Sequence, residues 1–198
     1  MNTRLIPIPK IAIRTIAGGL LLMAFFTIMW SGIASANLPT TGQIADLVIF
    51  WGGALAFIGY AIYFFMSAKR FQTVMTETDK AEGKKMGKAY GIIFGLEGML
   101  IPVAVFICLQ LGKPELVLPA IALVVGLHFY PMARIFGRTI DYYVATWATL
   151  IAISTIILTI KQAVLPVPVL AVLGVGMAIA TTIYGINMIR IGLGYLRS

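Results

Sequence analysis

Six apolar runs, each about twenty residues long, follow one another along this chain with only short polar connections, and they constrain its fold more than any motif does. They cover 16–33, 44–66, 89–111, 116–136, 141–160 and 168–190. Inside hydrocarbon a backbone N–H or C=O has no water to bond, so only helices and closed barrels cross a bilayer. These runs are continuously apolar rather than alternating with period two, which selects helices over barrel strands. At ~1.5 Å per residue the runs are long enough for a hydrocarbon core ~30 Å thick, the first of them, 16–33, if slightly extended. The fold class is therefore all-α, a polytopic transmembrane helix bundle of about six spans forming one domain over 1–198.

Composition agrees: 60% of residues are hydrophobic and 11% are charged, against roughly 25% charged in soluble domains. The net charge of +8 does not indicate nucleic acid, because the basic residues stand at the ends of apolar runs rather than along one amphipathic face. Thirteen of the fifteen Lys and Arg residues fall on one side when the connections are assigned alternately. That side holds Arg4, Lys10 and Arg14, the basic loop over 67–88, Arg134 with Arg138, and Arg190 with Arg197, while Lys113 and Lys161 fall on the other. Basic connections stay cytoplasmic, which predicts both termini inside and a multi-pass protein of the plasma (inner) membrane.

Two local patterns compete with this map. The first run, with its basic flank and Ala34-Ser35-Ala36 at its end, also fits a cleaved signal peptide. Its length and the second span directly after it favour retention as a helix. Leu38-Pro39-Thr40-Thr41-Gly42 resembles a sortase sorting signal, but such a signal belongs at a C-terminus, so the segment is read as a turn. Trp30 and Trp51 near that side suit an aromatic belt.

Chemistry is carried by few residues. Glu97 and His128 are ionisable groups inside apolar runs, a placement that is costly and that requires a partner or a watery cavity. Antiparallel neighbours joined by the Gly112-Lys113-Pro114 turn bring them to one depth. A carboxylate beside an imidazole can pass a proton or close a polar clasp between helices. Thr181 on the sixth span and Tyr60 on the second fall at a similar depth and are candidates to complete one pocket with that pair. Arg134 and Arg138, near Asp141, Tyr142 and Tyr143, are candidates for an anionic headgroup or solute, with simple interfacial anchoring as the plainer reading. Gly91, Gly95, Gly98 and Pro102, and likewise Gly174, Ala178, Thr181 and Gly185, lie at helical spacing, as close helix packing uses.

HExxH, GxSxG and GxxxxGK[ST] patterns do not occur, and one histidine with one cysteine, Cys108, cannot supply a usual metal site. No cofactor is expected, and an enzyme is disfavoured. Two classes stay open. One is a small-solute or proton-coupled transporter or channel using Glu97 and His128. The other is a membrane-embedded accessory, assembly or sensory subunit, in a homo-oligomer or a larger membrane complex, with the basic loop meeting a partner or anionic lipid.

The stretch Gly126-Leu127-His128-Phe129-Tyr130-Pro131-Met132-Ala133, with Tyr142-Tyr143 after it, resembles a GLHFxPxA-like pattern of small uncharacterised bacterial multi-spanning membrane proteins. The resemblance implies a bacterial plasma-membrane setting and no particular chemistry.

Overall fold

The computed structural model describes residues 10–71, 77–162 and 168–197. Among these residues no strand occurs, and six helical segments are long and apolar enough to cross a bilayer. Arg4, residues 72–76 of the basic loop and 163–167 of the proline-bearing connection before the sixth span lie outside the described residues.

Helix α1 spans Lys10–Ser35. The second crossing is composite: α2 (Thr40–Asp46), a π-helical turn (Leu47–Trp51) and α3 (Gly52–Ser67), ending in a 3-10 turn at Ala68–Arg70. Helix α4 covers Glu77–Gln110, α5 Val117–Phe136, α6 Thr139–Ile160 and α7 Val169–Arg197. The expected loop over 67–88 is thus helical from Glu77 onward, with Lys80, Lys84, Lys85 and Lys88 exposed along α4. No proline falls between Phe71 and Pro102 to stop that helix early. The turn read into the 38–42 segment ends at Pro39, and Thr40, Thr41 and Gly42 are already helical.

Two glycines end helices as their conformational freedom allows. Gly112 (φ 65°) and Gly137 (φ 61°) adopt the left-handed conformation, and the next amides, Lys113 N and Arg138 N, donate back to Cys108 O and Ala133 O. These tight reversals set α4, α5 and α6 antiparallel in sequence order. Helix α5 continues through Pro131 and α4 through Pro102.

Neighbouring helices run in the order α4, α5, α6, α7, α1, α3, with α3 also touching α7. The α1–α7 pair is the axis. In the most apolar stretch of α7, 56% of residues are buried, against 11% in α4, which packs on α5 at the edge.

Small residues make the axis close. A Cβ added at Gly174 would lie 2.6 Å from Ala34 N and 2.7 Å from Trp30 O, so α7 rests directly on the α1 backbone there. Further along α7, Gly185 and Gly192 receive the rings of Phe57 and Phe64 from α3. Thr27 and Thr181 bridge α1 and α7 at 2.8 Å, between an apolar cluster around Leu20, Phe57 and Phe64 and a second around Trp30, Leu173 and Met177. Trp30 is therefore core rather than belt: it is 1% exposed, in space left by Ala122, Ala148, Ala152 and Ala178. Trp51 is 41% exposed.

The glycines of α4 behave differently. A Cβ at Gly83, Gly87, Gly91, Gly95 or Gly98 meets nothing within 4 Å. Gly174→Ala is expected to destabilise the bundle by about 1–3 kcal/mol through overpacking against backbone, whereas Gly91→Ala should fall within about 0.5 kcal/mol of wild type. Reversible unfolding of the purified protein in mixed micelles measures both, and equal effects would contradict the packing described.

Candidate functional site

Helix α4 turns few side chains inward, and Glu97 is one of them. Ile93, Glu97 and Cys108 are its buried residues among those described, one to four turns apart on a single face. That face meets α5, where His128 sits two residues beyond Gly126. Gly126 lets α5 lie against α6, since a Cβ there would stand 2.9 Å from Thr149 N. The contact holds α5 with His128 turned toward α4.

His128 Nδ1 lies 3.6 Å from Glu97 Oε1, with side-chain exposures of 9% and 10%. No charged residue falls between Lys88 and Glu97 or between Glu97 and Lys113. The pair is enclosed by aromatic rings. Phe94 meets the imidazole edge-on at 5.7 Å, Phe129 lies 4.2 Å from it, and Tyr90 packs on Phe94 at 4.4 Å. His128 Nδ1 has no hydrogen-bond partner in this arrangement. A separation of 3.6 Å is an ion-pair distance just beyond a hydrogen bond, so a small approach of α4 to α5 would let one proton be shared between the two groups.

The other expected members do not join them. Thr181 Oγ1 faces Thr27 across the α1–α7 axis and also donates to Ala178 O at 3.0 Å within its own helix. Tyr60 is 37% exposed and lines an open groove with Ala56, Gly59, Tyr63 and Leu193. Helix α3 packs on α1 and α7 while α4 packs on α5, so shared depth does not become a shared pocket.

Arg134 and Arg138 also part company. Arg134 is exposed. Arg138 donates from Nε to Asp141 Oδ2 at 3.1 Å, and its guanidinium lies 4.5 Å from the Phe136 ring centroid and 5.8 Å from that of Tyr184. Asp141 is fully buried. This ties the α5–α6 turn to α7 and engages the Arg138 charge with Asp141.

A second intramembrane carboxylate is absent from the sequence-derived candidates. Asp46 ends α2, immediately before the π-helical turn, and is 4% exposed. A π-turn adds a residue to the helical repeat and so re-aims the side chains on either side of it. Asp46 Oδ2 accepts hydrogen bonds from Ser31 Oγ and from Ser35 Oγ, the latter at 2.8 Å, both on the last turns of α1. Asp46 Oδ1 is buried with no partner, and no Lys or Arg pairs with this carboxylate among the described residues. A cavity of about 410 Å³ adjoins it, walled by Leu38, Ile49, Phe50, Val175, Ile179 and Ile183, with Thr182 contributing a buried hydroxyl that also lacks a partner. A sequence signal existed: two serines four residues apart end one run, and a lone aspartate opens the next.

Comparison with family models, with curated proteins and with solved structures returns no match. The class of the protein, a multi-pass α-helical membrane protein, therefore rests on its helices, and the chemistry of its sites on their geometry.

The Glu97–His128 contact yields a quantitative expectation. In a double-mutant cycle of Glu97→Gln and His128→Gln, the coupling in unfolding free energy should be favourable by roughly 0.6–2 kcal/mol, the range for polar contacts between membrane helices. Additive single effects would show that the two side chains do not interact.

Proposed function

We propose that this chain is a small proton-conducting carrier, in which Glu97 and His128 exchange a proton as α4 shifts on α5. One observation carries the reading: an ionisable pair 3.6 Å apart, deep in apolar sequence, joins the least buried helix to the rest of the bundle. A buried charge is stable only with its partner, so protonation of the pair alters how firmly α4 is held. An edge helix whose glycine face meets no other residue is free to make that adjustment. In this account Thr181 and Tyr60 hold no solute.

The proposal extends to setting. The basic ends of the spans face the cytoplasm of a bacterial plasma membrane, with both termini inside. The distribution of Lys and Arg and the resemblance around Gly126-Leu127-His128-Phe129 support this. Exposed Arg134 and the lysines of α4 then lie where anionic headgroups attract them.

A second reading, an assembly or accessory subunit, draws on a different observation. The face of α4 bearing Gly87, Gly91 and Gly95 repeats the GxxxG spacing and is uncovered, as a surface for another membrane helix would be.

Flux separates the two readings. In proteoliposomes carrying an internal pH-sensitive dye, the wild type should dissipate an imposed pH gradient, and Glu97→Gln should reduce the rate to that of protein-free vesicles. A wild type no faster than empty vesicles removes the carrier reading and leaves the subunit one. For orientation, a protease site placed among Lys80, Lys84 and Lys85 should be cut only after the cells are opened, and cleavage in intact cells would reverse the assignment.

A further inference from the structure

The Glu97–His128 pair is sealed from water, yet proton exchange requires water to reach it, and the two ends of the α4–α5 interface offer water different paths. Toward one end, the only polar side chain of α4 between Glu97 and Gln110 is the Cys108 thiol, and α5 has none from Val117 to Leu127. Toward the other, the basic end that bears Lys84, Lys88 and Arg134, the interface is aromatic. Phe94 lies 5.7 Å from the imidazole, Tyr90 packs on Phe94 at 4.4 Å, and Tyr90 meets Phe136 edge-on at 6.1 Å. The Arg138 guanidinium rests 4.5 Å from the Phe136 centroid. A file of rings thus runs from His128 to the charge at the end of α5. Tyr90 is the first polar side chain met on α4 in this direction from Glu97. Tyr130, two residues past His128 on α5, is engaged elsewhere, because its hydroxyl pairs with Thr146 of α6 at 3.1 Å.

We propose that the Phe94 and Tyr90 rings are a gate through which water reaches Glu97 and His128 from the basic end of the bundle. The inference rests on the reading of this pair as one that takes up and releases a proton. Tyr90 and Glu97 are two helical turns apart, about 10 Å along α4, which is too far for a hydrogen bond and needs bridging water. The Phe94 ring stands at the level between them, so it must swing before water can bridge the gap. Space for that movement exists on the edge helix. Tyr90 is 36% exposed, Phe94 is partly buried, and a Cβ at Gly91 or Gly95 beside them meets nothing within 4 Å. Tyr90 also feels the charges of both Glu97 and Arg138, and its hydroxyl can donate or accept, which suits the mouth of such a path. The opposite end offers water apolar walls and a thiol, whereas a buried water needs two or more polar partners.

The chain has one histidine, so exchange of its imidazole Cε1 hydrogen for deuterium, read by mass spectrometry of the peptide that carries it, reports water at the pair alone. The full chain in lipid nanodiscs should exchange this hydrogen more slowly than the free peptide does. Phe94→Ala, which removes the ring between His128 and Tyr90, should speed exchange by about two- to tenfold, the factor to which loss of an aromatic pairing converts. Tyr90→Ala, at a more exposed position, should act in the same direction and serves as the test should Phe94→Ala not fold. Ile101→Ala, one turn beyond Glu97 on the other side, should leave the rate unchanged. Wild-type exchange as fast as in the free peptide, an unchanged rate in either folded ring variant, or equal acceleration in Ile101→Ala would each overturn the gate. The readout is independent of flux. Gated exchange in a protein that dissipates no pH gradient would remove the carrier and keep the gate, and flux with exchange unaltered by Phe94→Ala would do the reverse.

Discussion

The absence of a side chain at Gly174 allows α7 to touch the α1 backbone at Trp30 and Ala34, and the order of the other helices depends on that contact. Between membrane helices, lipid supplies no hydrophobic drive to associate, so close van der Waals fit and a few polar bonds must hold the bundle. Here the fit comes from Gly174, Ala178 and Gly185 on α7, and the Thr27–Thr181 bond lies within the same seam. With α7 fixed on α1, α3 closes over one side through Phe57 and Phe64, and α6 and α5 extend the other.

Helix α4 is last in that series, and its position gives the Glu97–His128 contact its character. Three carboxylates lie in the described helices with almost no exposure to solvent, and each is compensated differently. Asp141 is clamped by Arg138, which makes a structural joint of it. Glu97 faces a neutral-or-charged partner at ion-pair distance on the most loosely covered helix, which suits exchange. Asp46 is half satisfied, by two serines, and its other oxygen is buried without a partner behind an apolar wall. The same low dielectric acts on all three, and the neighbours decide what each can do.

Span number, helix class and the meeting of Glu97 with His128 were legible because apolar length and charge position are one-dimensional properties. Depth along a helix is also one-dimensional, but which helices are neighbours is not. Thr181 and Tyr60 share a depth with Glu97 and yet lie toward α1 and in an open groove on α3, respectively. The glycine stripes illustrate the same limit: Gly174 and Gly95 sit in similar spacing patterns, but one rests on backbone and the other meets nothing. Asp46 stands third in the 44–66 run, a position that by itself says nothing of burial. The π-turn after it, which no residue type announces, turned it inward.

The axis itself can be tested by one chemical cross-link. With Cys108 replaced by Ser, Thr27→Cys paired with Thr181→Cys should oxidise readily to a disulfide in native membranes, because the two hydroxyl oxygens they replace are 2.8 Å apart. Thr27→Cys paired with Gly95→Cys should not. Failure of the first pair to link, or linkage of the second within a single chain, would contradict the placement of α7 on α1 and of α4 at the edge.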